Sequence, residues 1–155
     1  MSKPVLRAPF FFVLRELVRC YQAFERYSAA HIQTLDLTPP QFDVIATLGN
    51  TNGMTFRELG ERTLITKGTM TGIVDRLEGK GFVRRESSPE DGRATIVCLT
   101  RQGEKIFDQA FPAHISHLRE AFGLVPEKEL AVLGQGLGTL RKALSAAADN
   151  QKEIR

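Results

Sequence analysis

Few of the features that mark small functional classes occur in this sequence. It has two cysteines, Cys20 and Cys98, far apart in the chain. That spacing supports neither a disulfide framework nor a zinc-finger ligand pattern, and it suits a reducing compartment. The apolar run Ala8 to Leu14 is too short to cross a bilayer, and Arg15 and Glu16 follow it with no small-residue cleavage site. The expectation is therefore a cytoplasmic protein with no membrane partner. Catalytic signatures are missing as well: there is no G-x-S-x-G, no H-E-x-x-H and no phosphate-cradling glycine loop, so neither an enzyme nor a cofactor is expected. Internal repeats and low-complexity linkers are absent. Net charge is small, at +3 from 21 basic and 18 acidic residues, and does not by itself point to nucleic acid.

What is present is unevenly placed. With 155 residues, 42% of them hydrophobic, the chain can build one core but hardly two. Between Arg62 and Arg101 stand eight cations against five anions, and the rest of the chain holds thirteen of each. The whole positive excess sits on one segment, the footprint expected of a DNA reader.

That segment has a readable layout. Thr38-Pro39-Pro40-Gln41 is a helix start, with Thr38 as cap, Pro39 at the first helical position and Gln41 closing a capping box. Phe42, Ile45, Ala46 and Leu48 then face a core. Thr55-Phe56-Arg57-Glu58 repeats the capping logic and opens a short helix to about Arg62, with Phe56 and Leu59 inward. After a turn at residues 63–66, a second helix buries Met70, Ile73, Val74 and Leu77, and Gly79 and Gly81 end it. Its other face carries Lys67, Gly68, Thr69, Thr71, Gly72, Asp75 and Arg76, with nothing bulky to keep it out of a groove. Thr66, Lys67, Thr69 and Thr71 are placed to meet base edges and phosphates. Residues 82–87 and 95–99 read as strands flanking the turn-rich tip Ser88-Pro89-Glu90-Asp91-Gly92-Arg93. Period-two alternation puts Val97 and Leu99 on one face and Ile96 and Cys98 on the other. Arg93, oriented by Asp91, is expected to enter a minor groove.

The ends of the chain read as helices in search of partners. Phe10, Leu14, Leu17, Tyr21 and Phe24 form an amphipathic stripe from Phe10 to about Ile32, widened by Phe11, Val13 and Val18. Leu130, Leu133, Leu137, Leu140 and Leu144 recur at three, four, three, four, a coiled-coil-like seam. Gly134, Gly136 and Gly138 weaken that helix by about 1 kcal/mol each relative to alanine and leave room for close helix approach. The apolar area on two such helices exceeds what one small domain covers, so a homodimer is expected, with an intramolecular hairpin as the alternative.

The fold class that follows is mainly α with a small β-hairpin wing. Residues 36–100 form a winged helix-turn-helix DNA-binding domain, and residues 1–35 and 101–155 form a helical dimerisation region. In this order the residues resemble the MarR family, the multiple-antibiotic-resistance regulators. The resemblance rests on residues 37–42, on Val74-Asp75-Arg76-Leu77-Glu78, on Gly81-Phe82-Val83, and on Asp91, Arg93, Val97, Leu99, Thr100 and Gly103 in a D-x-R-x-x-x-V-x-L-T-x-x-G pattern. It implies a dimeric winged-helix transcription factor on a pseudo-palindromic operator, usually a repressor, released by a small aromatic or anionic ligand. Thr38, Thr66, Lys67, Gly68, Thr69, Thr71, Arg76, Arg84, Asp91 and Arg93 are the expected DNA contacts. Gly68 and Gly72 depart from the hydroxyl and the arginine that many relatives carry there, which moves weight from base edges to phosphates and Arg93.

A ligand acts only through different affinities for two states, so the sensor belongs where the terminal helices join the winged domain. Tyr27, His31, Phe42, Phe107 and Phe111 are the candidates there, with ordinary core packing as the alternative reading of each. Cys20 offers a peroxide-sensing alternative, weakened because Arg19 beside it points about 100 degrees away on a helix. His114 and His117, three residues apart and just downstream of Pro112, which kinks or interrupts the helix, are spaced to share a metal with His31 or Glu120 as conceivable further ligands, but the count is too thin for a metal site to be assigned. A winged-helix protein-docking module that does not bind DNA is the remaining alternative.

Overall fold

Among the described residues, 8–63 and 65–153, the computed structural model contains six helices and three short strands. They run α1 (Pro9–Thr34), α2 (Pro39–Leu48), β1 (Met54–Thr55), α3 (Phe56–Arg62), α4 (Lys67–Gly79), β2 (Val83–Ser87), β3 (Thr95–Leu99), α5 (Arg101–Phe122) and α6 (Glu127–Glu153).

Local chemistry explains the boundaries. Thr38 accepts from the Gln41 amide at 3.4 Å while the Gln41 side chain accepts from the Thr38 amide at 3.1 Å, so both expected donors of α2 are satisfied. Thr55 and Glu58 do the same for α3 at 3.2 and 2.8 Å. At the end of α4, Gly81 adopts φ of +76°, which lets the Phe82 amide reach back to the Leu77 carbonyl at 2.9 Å and the Gly81 amide to that of Glu78 at 2.9 Å. This Schellman turn aims the chain into β2.

The two hairpin strands pair in antiparallel register from Val83 opposite Leu99 to Ser87 opposite Thr95. They are not alone. Met54 and Thr55 add a third strand on the far side of β3, giving the order β1-β3-β2. Two residues are too few to show a strand period, so the sequence reading misses β1. Because β3 is central, Ile96, Val97, Cys98 and Leu99 are all buried. The expected alternation therefore separates two covered faces, not a dry face from a wet one.

Thr100 and Gly103 join the hairpin to α5. The Thr100 hydroxyl donates to the Gly81 carbonyl at 2.5 Å and accepts from the Gly103 amide at 3.0 Å. A β-carbon at Gly103 would stand 1.9 Å from the Phe82 carbonyl oxygen, so only glycine lets α5 start this close to β2. The family-like L-T-x-x-G run thus has a physical cause in this chain.

The chain divides into two compact units, Met1–Ile115 and Ser116–Arg155. The first contains one continuous core in which Val44, Leu59, Val74, Leu77 and Val97 are fully buried, joined by Ile32 of α1 and Phe107 and Ala110 of α5. Helix α5 continues through Pro112 without a break, so of the kink or interruption expected there the interruption does not occur. Its buried positions Gly103, Phe107, Ala110 and His114 follow a four, three, four spacing, and this packing holds the helix across the missing amide. In the second unit none of the described residues is fully buried. Helix α6 runs unbroken past Gly134, Gly136 and Gly138.

Candidate nucleic-acid interface and regulatory junction

Helix α4 buries Met70, Ile73, Val74 and Leu77 and leaves Gly68, Thr69, Thr71 and Arg76 exposed, as the i, i+3, i+4 spacing predicts. Thr66 caps it by backbone geometry alone. Its hydroxyl lies 2.9 Å from that of Thr69 and does not take an amide of the first turn. The side chain of Lys67 lies outside the described residues. A β-carbon at Gly68 or Gly72 would meet nothing within 4 Å, so the fold itself does not demand glycine at either position. Both leave the helix face low and open.

The hairpin tip closes on itself. The Ser88 amide donates to the Ala94 carbonyl at 2.8 Å, and the Ser88 hydroxyl accepts from the amides of Glu90 and Asp91 at 3.3 Å each. Asp91 Oδ1 accepts from the backbone amide of Arg93 at 3.0 Å. Asp91 thus shapes the backbone that carries Arg93 and does not hold its guanidinium. The Arg93 side chain projects into solvent, and among the described residues no ion pair engages it.

Arg84, expected to face DNA, is turned along the hairpin instead. Its guanidinium donates to Glu86 and, at 2.6 Å, to the Leu99 carbonyl. Its neighbour Arg85, which the sequence reading passed over, reaches from β2 to α4, donating to Asp75 at 2.5 Å and to Glu78. The hydrogen bond to Asp75 is the main cause holding the Arg85 guanidinium above its ordinary pKa. Thr38 is exposed, with its hydroxyl already engaged in the α2 cap.

At the junction four of the five sequence candidates fall into two groups. His31 Nδ1 lies 3.0 Å from His114 Nδ1, His114 Nε2 lies 3.0 Å from the Ser28 hydroxyl, and the Phe42 ring meets the His114 ring edge-on at 4.7 Å. Only one hydrogen fits between two Nδ1 atoms at that distance, so one ring donates and the other accepts. Phe107 and Phe111 stack at 5.1 Å, with the Phe107 ring against Gly49 at the end of α2. Tyr27 is half-buried on α1. His114 is 3% exposed, with one ring nitrogen facing the Ser28 hydroxyl and the other facing His31. Among the described residues no group of three potential ligands is gathered. Ser28, Gly49 and His114 are junction residues that sequence reasoning missed, and the i, i+7, i+11 spacing of Phe107, His114 and Leu118 was the available signal for the inward turn of His114.

Cys20 is exposed on α1, where Arg19 pairs with Glu16 at 3.2 Å. Cys98 is buried, and burial first, then Glu86, pushes its thiol upward. No helix among the described residues is long and apolar enough to cross a membrane.

Comparison with known proteins places this geometry. The MarR family model matches residues 35–94. The transcriptional regulator HosA of Escherichia coli O111:H- is 34% identical over 126 residues, which cover 81% of this chain and 91% of HosA. The chain belongs to the MarR family. Like its MarR relatives it is a DNA-binding transcriptional regulator of the winged helix-turn-helix type and not an enzyme. Two solved structures share its fold. A MarR family regulator from Streptomyces coelicolor, crystallised in complex with DNA, superposes with a TM-score of 0.76 at 23% identity, covering 86% of each chain. NadR in complex with 4-hydroxyphenylacetate superposes with a TM-score of 0.72 at 22% identity, covering 86% of this chain and 98% of NadR.

Proposed function

We propose that the chain works as a homodimeric repressor, in the cytoplasm, on a pseudo-palindromic operator that it leaves when a small aromatic or anionic molecule binds. The observation that carries the dimer is the apolar surface left on the terminal helices: Phe10, Phe12 and Leu14 on α1 and Leu133, Leu137 and Leu144 on α6 are all about half exposed or more. Apolar faces of this extent mark protein interfaces, and the open backbone at Gly134, Gly136 and Gly138 allows close helix approach. Phe10, Leu14, Leu17, Leu130, Leu133, Leu137, Leu140 and Leu144 are the proposed interface, residues 1–35 and 101–155 the pairing region, and residues 36–100 the reading head.

In that assembly Gly68, Thr69, Thr71 and Arg76 of α4, with Thr66, Lys67 and Thr38 beside them, face the major groove, and Arg93 enters the minor groove from a tip shaped by Asp91. Arg84 serves through its backbone strand more than its guanidinium, which is engaged. The effector site lies at the junction of Tyr27, His31, Phe42, Phe107 and Phe111, where the part-buried His31 and the buried His114 and Ser28 supply polar groups in an apolar setting. A ligand that displaces one of these three leaves the others unsatisfied, and so favours a different packing of α1 against α5.

The test is fluorescence anisotropy with the intergenic duplex upstream of the gene, across a salt series and with 4-hydroxyphenylacetate and related aromatic carboxylates. Sequence-preferring binding with steep salt dependence, released by one of these acids, is the expected result. Binding no tighter than to scrambled DNA refutes the operator reading, and binding indifferent to the acids refutes the effector class.

A further inference from the structure

Three elements of the winged domain meet on one arginine. Arg85 leaves β2, places its guanidinium over the Phe56 ring of α3 at 5.6 Å from the centroid, and donates one arm to Asp75 at 2.5 Å and the other to Glu78 on α4. The arginine side chain is 29% exposed, against 58% for Asp75 and 41% for Glu78. The cation is thus the more enclosed member, and the two carboxylates stand at the surface of the helix that presents Thr69, Thr71 and Arg76.

Ion pairs as exposed as these add little to stability, because solvent screens them and ordering the side chains opposes them. Their larger consequence is electrostatic. Asp75 and Glu78 are the acidic residues of α4, and unneutralised they would set two like charges against the phosphates that the helix must approach. An arginine fork can serve both carboxylates at once, which a point-charge lysine does poorly.

We propose that Arg85 is a positioning residue for DNA recognition: by holding Asp75 and Glu78 it offsets one of the two negative charges on the acidic edge of α4 and ties that helix to β2, so helix and wing meet DNA as one piece. The inference rests on the reading that α4 and the wing contact DNA. Arg85 itself contacts no phosphate.

The experiment compares full-length proteins on the labelled intergenic duplex. Arg85→Gln should lower affinity about tenfold, with thermal unfolding followed by circular dichroism close to that of the unaltered protein. Adding Asp75→Asn and Glu78→Gln to it should restore affinity to within about threefold, because the two charges that Arg85 partly offsets are gone. The same gain of two charges made elsewhere, with Glu61→Gln and Glu104→Gln on Arg85→Gln, should restore much less. Affinity unchanged in Arg85→Gln overturns the proposal, as does a triple variant that stays weak, or equal recovery from the distant pair. Should Arg85→Gln fold poorly, Asp75→Asn with Glu78→Gln alone must bind several-fold tighter, and no gain overturns it. If the unaltered protein does not prefer this duplex, the operator reading fails and the Arg85 proposal is then decided on a duplex that it does bind, in low salt.

Discussion

The winged domain and the C-terminal helix are built from similar amounts of leucine put to opposite uses. Leu59, on the short α3, is 0% exposed, whereas Leu137, on the long α6, is 54% exposed. The first sits inside a core closed by α2, α4, β3 and α5, and the second lies on a seam that nothing among the described residues of its own unit fully covers. Helix length therefore says little about where stability resides. A seven-residue helix is held by capping and burial, while a 27-residue helix displays its apolar stripe.

The same substitution in the two regions should separate them most widely. Leu59→Ala is expected to destabilise the fold by about 2 to 5 kcal/mol in urea titration, independent of protein concentration. If the proposed dimer covers Leu137, Leu137→Ala should lower a midpoint that rises with the logarithm of protein concentration, by weakening association. Equal, concentration-independent losses would erase the contrast.

Next in size is the seam itself. Leu133→Glu with Leu137→Glu, or truncation before Leu130, should convert a dimer to a monomer in sedimentation velocity, with loss of operator binding. A folded monomer that keeps full operator affinity would contradict the proposed pairing region.

A smaller effect is expected at the wing. Arg93→Ala should weaken operator binding by about 1 to 3 kcal/mol, with unfolding temperature and dimer unchanged. Equal affinity in both proteins removes Arg93 from the interface.

The smallest concerns the α3 cap. Thr55→Ala should cost about 1 kcal/mol. The Thr55 backbone amide, then its hydroxyl, hold the Glu58 carboxyl below its ordinary pKa. A depressed folded-state pKa contributes stability that is present above the unfolded value and is lost as pH falls through the folded one. The unaltered protein should lose that contribution on acidification below the usual carboxylate range, and Glu58→Gln, which removes the carboxyl that titrates, should flatten this part of the profile. A pH profile unchanged by the substitution would assign the acid sensitivity elsewhere.

Much of the fold is legible along the chain because its causes are local. Thr38 with Gln41 and Thr55 with Glu58 are three residues apart, the buried face of α4 repeats within two turns, and Gly81 follows the helix that it ends. The open face of α4 and the exposed Arg93 follow from the same periodicity. Less legible are contacts that join distant segments. Arg84 and Arg85 are adjacent and chemically identical, and only the direction of each side chain from β2 decides that one runs along the hairpin and the other crosses to α4. His114 is spaced along the chain to share a metal with His117, yet its ring meets Ser28, 86 positions away, and His31, 83 positions away.

By itself, then, the sequence determined the helices, their caps, the hairpin and the family, through short-range spacing that any reader of periodicity and turn chemistry can recover. The tertiary structure alone decided that β1 adds a third strand to β3, that the His31 and His114 rings meet, and that Arg85 pairs with Asp75 and Glu78. Those outcomes depend on which faces meet after the chain has collapsed, and burial then makes each polar side chain find the nearest partner in space, however far away it lies in sequence.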